Sequence, residues 1–277
     1  MTSILLVTER EDQVHQGVSR ALMLARYLHA RLDILFCDPQ RHHVAQADRS
    51  PARVTDDAHQ FLESLRKAIT APDVEITTDA GIEGATHEIV ARKVRREHSG
   101  LVVKSAGRRR PGHRDPVDWQ LVHSCPAPLL IARGRAWHPR PCFAAAVEVG
   151  STRSPDLPTD VARATLMLGG ACSALVDLVH VQPDGAQHRE GASTAWTRLQ
   201  ALGRELRINP TQLHLLHGEV SPVLSGFAEA RAYDLLAVGV MMATTLPIVE
   251  DCVPARLMTS VNCDLLFVKP EDQYIAA

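Results

Sequence analysis

Residues 21–39 align without gaps on residues 165–183, at an offset of 144 positions. Leu22, Met23, Leu24, Ala30, Asp33 and Pro39 meet Leu166, Met167, Leu168, Ala174, Asp177 and Pro183 as identities. Gly81 and Gly218 each open a predicted third helix, and LLIA at 129–132 mirrors LLFV at 265–268. One short match is chance; six identities on a shared order of elements mark a duplication. A chain written twice folds as two copies of one unit, so whatever fold one half permits, the other repeats.

Apolar periodicity gives that order. In the first half, strands are predicted at 3–8, 32–37, 74–78, 101–105 and 128–132. Helices are predicted at 12–30, 55–69 (N-capped by Thr55 or Asp56), 84–97 and 117–123. In the second, strands fall at 143–148, 174–181, 212–216, 234–239 and 264–268, and helices at 160–171, 193–206, 222–232 and 253–260. Polar stretches at 40–53, 108–114 and 185–192 read as loops. RGRAWHPRP at 133–141 has the composition of a linker, so the domains are read as 1–136 and 140–277. Strands alternating with helices imply an α/β fold. Each half should be a Rossmann-like or flavodoxin-like open sheet, five-stranded and mostly parallel, with helices on both faces.

Bulk properties narrow the function. A net charge of −2 gives no general attraction to nucleic acid or to an anionic membrane. Aromatic residues are 4% of the chain, too few for stacking platforms on single strands. No apolar run reaches the roughly 20 residues that span a bilayer, and MTSILLVTERED is no signal peptide. The six cysteines lack a C-x-x-C pair and read as reduced, mostly buried thiols. A cytoplasmic, soluble protein is expected.

The second half carries the most suggestive stretch. Residues 234–239 read as a strand covered on both faces, Gly239 closes it, and a helical pattern follows. Strand, glycine turn and helix N-terminus can cradle phosphate. Yet residues 240–248 hold no further glycine and carry Met241, Met242, Leu246 and Ile248, so the cradle reads as filled by side chains, with the methionines as core filler or, as the alternative, as the lining of an apolar ligand pocket. Glu148, Glu250 and Asp251 fall where open α/β sheets place their sites but read equally as caps and turn residues. His42–His43 and His214-x-x-His217 make no ligand set without distant help, so no metal is expected. His180 reads as a satisfied strand imidazole. No G-x-S-x-G elbow or local catalytic-thiol signature occurs, and no catalytic residue is named.

Asp118-Trp119 ahead of Leu121, Cys125-Pro126-Ala127-Pro128, Cys263-Asp264-Leu265-Leu266, Lys269-Pro270 and Gln273-Tyr274, set on the repeat, resemble the universal stress protein family over essentially the whole chain. The likeness is to its tandem, E-type members, whose domains are adenine nucleotide alpha hydrolase-like. ATP-binding members carry G-x2-G-x9-G-[ST] after strand four, an acid ending strand one and an adenine contact ending strand two. Carried over, the second half has Gly239, Met242 and Cys252-Val253, with Glu148 as the acid and Val181 at the adenine position. The first half has Lys104, Gly107 and Val117-Asp118, with Thr8 and Cys37 at the other two.

Each half thus keeps one glycine of three and lacks the hydroxyl. A methionine disfavours the conformation a glycine allows, and Asp118 sets a carboxylate where a triphosphate would lie. The resemblance implies a stress-response protein, a small-ligand sensor or adaptor with degenerate ATP motifs and no enzymatic activity. A nucleotide-hydrolysing enzyme or a ligand-free scaffold on the same fold are the alternatives. The expected ligand, an adenine nucleotide or another small molecule, goes to the second half. There Glu148 and Val181 lie on the base side, Gly239, Val240 and Met242 on the phosphate side, and Cys252 at the helix mouth. Thr8, Cys37, Lys104 and Gly107 form a weaker first-half site, with Lys104 and residues 108–110 read as a solvated basic loop or, as the alternative, as holding some other anion by charge. The family's dimer contact would fall inside the chain, as an internal pseudo-dimer through residues 127–132 and 264–268. Homodimerisation and protein partners are left open.

Overall fold

The computed structural model describes residues 3–9, 16–37, 51–81, 84–107, 115–133, 135–184, 192–241 and 252–270. The chain divides into two compact units, one built from Met1–Gly107 and Pro116–Gly134, the other containing Arg135–Ala277.

The first unit runs β1 (Ser3–Thr8), α1 (Gln16–Leu28), β2 (Arg31–Cys37), α2 (Pro51–Ala68), β3 (Ile76–Gly81), α3 (Thr86–Glu97), β4 (Leu101–Ser105), α4 (Pro116–Ser124), β5 (Leu129–Ala132). Its strands lie in the order β3-β2-β1-β4-β5, every ladder parallel. β1, β4 and β5 are buried along their whole length, as runs without polar alternation require when both faces are covered.

The second unit repeats this with β6 (Cys142–Ala146), α5 (Leu157–Cys172), β7 (Leu175–Gln182), α6 (Ala192–Glu205), β8 (Leu213–His217), α7 (Val220–Ala230), β9 (Leu235–Gly239), α8 (Val253–Ser260) and β10 (Asp264–Val268). Its order is β10-β9-β6-β7-β8, again parallel. In each unit the winding reverses beside the first strand, between β1 and β4 and between β6 and β9. Open α/β sheets place ligands at that point, beyond the strands' carboxyl ends.

The duplication is visible in backbone detail. His29 and Ser173, 144 positions apart, both take left-handed φ values, 49° and 54°. Each is followed by the same closing bond, Ala30 N–H to Ala25 O at 2.9 Å and Ala174 N–H to Gly169 O at 2.8 Å. His98 and Ala232 repeat the device after α3 and α7, with φ 52° and 53°.

The strand register corrects the motif alignment. Ser3 pairs with Arg31 and Cys142 with Leu175. Arg31 and Leu175 are repeat partners, so Ser3 matches Cys142, and six residues on Glu9, not Thr8, matches Glu148. Likewise Ile4 pairs with Leu101 and Phe143 with Leu235. Four residues on, Ser105 rather than Lys104 matches Gly239, and Gly107 matches Met241.

Other boundaries shift for local reasons. α2 starts at Pro51, since proline's missing N–H costs nothing in a first turn, so Thr55 and Asp56 lie within the helix and not at its cap. β3 spans Ile76–Gly81 because Val74 is held in a turn by Ala71 O at 3.2 Å. Gly81 therefore ends a strand instead of opening a helix; a Cβ there would meet Ile89 Cγ2 at 2.5 Å. The linker-like stretch is pinned within the second unit. Trp137 Nε1 donates to Asp264 Oδ2 at 3.0 Å, and the His138 N–H donates to the buried Asp234 Oδ1 at 3.0 Å. No helix among the described residues is long and apolar enough to cross a membrane.

Candidate functional site

In the second unit the chain leaves β6 at Ala146, so Glu148 stands beyond the strand rather than within it, with its side chain exposed. Gly150 then takes φ +90°, and a Cβ there would strike the Arg198 guanidinium. α5 starts at Leu157, three residues earlier than expected, with Pro158 in its first turn. These elements and the ends of β7 and β9 enclose a cavity of about 440 Å³. That volume suits a small-molecule ligand.

Glu148, Val181 and Gly239 line this cavity. Val240 does not serve a phosphate: it is buried, and its N–H donates to Val268 O at 2.8 Å. Gly239 is glycine for a packing reason. A Cβ there would lie 2.8 Å from Leu157 Cδ2 and 2.9 Å from Leu157 Cγ, so α5 packs tightly against it. Met241 lines the cavity at 37% exposure, so it is not core filler. Cys252 is the N-cap of α8, and its thiol makes no capping bond. Met242, Glu250 and Asp251 lie outside the described residues, as do His42 and His43.

The walls are Leu157, Pro158, Val161, Val220, Leu224, Val253 and Pro254, of which sequence reasoning had named Val253 alone, at the last position of the motif. Asp156-Leu157-Pro158 was a legible signal, because proline in a first turn marks a helix start. His180 also faces the cavity, 7% exposed, with Nδ1 2.9 Å from Val147 O. A carbonyl only accepts, so Nδ1 carries the proton and Nε2 is an acceptor. Glu148 is an acceptor too. Among the described residues that line the cavity there is no lysine or arginine.

The first unit handles its switch point differently. Lys104 is buried at 1% exposure, and its Nζ lies 2.9 Å from Asp118 Oδ1 and 3.6 Å from Glu9 Oε1. It also donates to Ser105 O at 3.2 Å. The other Asp118 oxygen, Oδ2, accepts from the Gly107 N–H at 2.9 Å. Lys104 is thus the core of a buried charge cluster and not part of a solvated loop. Residues 108–110 lie outside the described residues. Thr8 is buried and continues the β1–β2 ladder opposite Phe36. Cys37 is fully buried, and burial, reinforced by Glu9, pushes its thiol up to about 12. Ser105, the structural partner of Gly239, accepts from the Gly17 N–H at 3.0 Å. Here the helix supplies the glycine for close approach: a Cβ on Gly17 would lie 2.7 Å from Ser105 Oγ.

His214 is structural. It stacks against Phe227 at 5.2 Å, and its Nε2 lies 3.1 Å from Asp177 Oδ2. Among the described residues, no group of three or more His, Cys, Asp or Glu side chains is arranged to hold a metal.

No family model matches the chain, and no curated protein does. Solved structures do. PA1789 from Pseudomonas aeruginosa PAO1, of unknown function, is 20% identical with a TM-score of 0.75 over 100% of this chain and 95% of its own. A candidate universal stress protein from Pseudomonas aeruginosa UCBPP-PA14 is 20% identical, TM-score 0.76, over 100% and 96%. A universal stress protein from Archaeoglobus fulgidus DSM 4304 is 12% identical, TM-score 0.71, over 96% and 98%. The α/β fold of this chain, through both of its units, is therefore the fold of universal stress proteins.

Proposed function

We propose that this chain is a tandem universal stress protein that acts in stress response by binding a small ligand in its second unit, as a sensor or adaptor and not as an enzyme. The cavity beyond β6, β7 and β9 carries this reading. Among the described lining residues most are apolar and the charged one is Glu148, and Leu157 crowds Gly239. A triphosphate needs cations or open N–H groups, so the ligand is a compact, largely apolar molecule that donates hydrogen bonds, such as an uncharged nucleoside. Glu148 and His180 Nε2 would accept those bonds. In the cytoplasm such a molecule would alter conformation or partner choice. Pairing of the halves as an internal pseudo-dimer, and any homodimer beyond it, belongs to the same proposal.

Native mass spectrometry of freshly purified protein tests it, followed by titration with adenosine and ATP. A retained small-molecule mass, or adenosine binding at least as tightly as ATP, supports the sensor. Bare protein that takes up neither favours a scaffold. ADP release that disappears in Glu148→Ala would favour the enzyme.

A further inference from the structure

We propose that the first unit is self-liganded: the Asp118 carboxylate is the anion bound at its switch point, and the groups that hold it become a site for a small free carboxylate once it is removed. The geometry is that of a bound oxyanion. One oxygen meets the Lys104 ammonium at 2.9 Å and the other accepts the Gly107 N–H at 2.9 Å. The ammonium thus gives the carboxylate an ion pair, and the backbone N–H gives it a hydrogen bond. Both side chains are sequestered, Lys104 at 1% and Asp118 at 5% exposure, so this is a built site and not a surface contact. The carboxylate comes from the first turn of α4 and meets Lys104 of β4 and the Gly107 N–H just beyond it, at the strand end where the sheet would otherwise admit a ligand.

The second unit has no ammonium at that register position, where Val238 stands in place of Lys104. An external ligand is thereby kept from the first switch point, and ligand response belongs to the second unit alone. Among the described residues Glu9 lies 3.6 Å from Lys104 Nζ, so once Asp118 is gone its charge opposes a dianion more than a monoanion.

The test is chemical rescue of Asp118→Ala in the full chain, at matched ionic strength in chloride, formate or phosphate. Removing one partner of a buried pair should lower the first unit's melting temperature by roughly 10 °C. Formate at 100 mM should raise its folding constant roughly tenfold if it binds near 10 mM. Phosphate should do less, wild type should not respond, and Lys104→Met/Asp118→Ala should lose the response. Equal melting in all three salts, or the same formate effect on wild type, overturns the proposal. If Asp118→Ala does not fold in chloride, soluble refolding yield in formate becomes the readout; no gain in yield refutes the site.

Discussion

Gly239→Ala separates a packing glycine from a phosphate-binding one. The added methyl would sit 2.8 Å from Leu157 Cδ2, 2.9 Å from Cγ and 3.3 Å from Cδ1. Carbon atoms settle near 3.5–4.0 Å, so Leu157 must retreat by most of an ångström. Overpacking of this kind costs about 1–3 kcal/mol. Leu157 lines the cavity and can swing into it, which places the cost near 1 kcal/mol and shrinks the ligand space. The assay is urea unfolding followed by the fluorescence of Trp137 and Trp196, both in the second unit, in a Trp119→Phe background. Wild-type, Gly239→Ala, Leu157→Ala and double-variant proteins complete the cycle. The alanine should cost roughly 1 kcal/mol with Leu157 present and under about 0.5 kcal/mol without it, a coupling in the range of touching residues. If Gly239→Ala is as stable as wild type but loses ATP binding, the glycine serves phosphate and the packing account is refuted.

Three further outcomes follow from buried polar groups. Tyr233 donates to the buried Asp177 Oδ2 at 2.5 Å, and Tyr233→Phe should cost about 1–3 kcal/mol in denaturant melts. Burial, then Asp177, raises that phenol's pKa. Its contribution is fully present below the unfolded value near 10 and is lost as pH rises beyond it. Wild type should therefore lose stability above about pH 10 and Tyr233→Phe should lose less. Lys93 lies 2.9 Å from Glu97 and 2.8 Å from Asp79. The Lys93 bond lowers Glu97, and Asp79 ends up lowered although burial pushes it upward. Their stabilisation holds above the usual carboxylate range and fades as pH falls through the lowered values, so Lys93→Met should raise both carboxylate titrations by NMR and flatten the acid limb. Cys37, its thiol pushed up to about 12, should resist a thiol reagent at pH 8 in the native state and react only on unfolding.

The sequence disclosed the fold because its information is redundant. Continuous apolar runs such as LLVT and LLIA, and the doubled LML, state the same arrangement twice. The site was legible only in part, because a motif alignment carries no register. Thr8 and Lys104 were each assigned one residue away from the position the sheet gives them, and in a strand one residue exchanges the two faces. Leu157 was missed because its helix was started at Asp160, after the proline that marks the turn. The role of Gly239 was invisible for another reason: a glycine that lets phosphate approach and one that lets leucine approach are the same letter.

The two units show what a duplicated switch point does once phosphate is no longer held. Where β4 ends in Lys104-Ser105, charge remains in the core, and a buried ammonium is tolerable only with a partner; Asp118 and Glu9 supply it. Where β9 ends in Val238-Gly239, a valine stands at the lysine's register position, and α5 brings Leu157 against the strand beside a mostly apolar hollow. One substitution in strand four thus sets which outcome follows. Exchanging only Lys104 for valine should take away the ammonium beside Asp118, while a lysine at Val238 would have Glu148, the counterpart of Glu9, but among the described residues no counterpart of Asp118. Both should destabilise their own unit, and the two positions are therefore not interchangeable despite their shared place in the repeat.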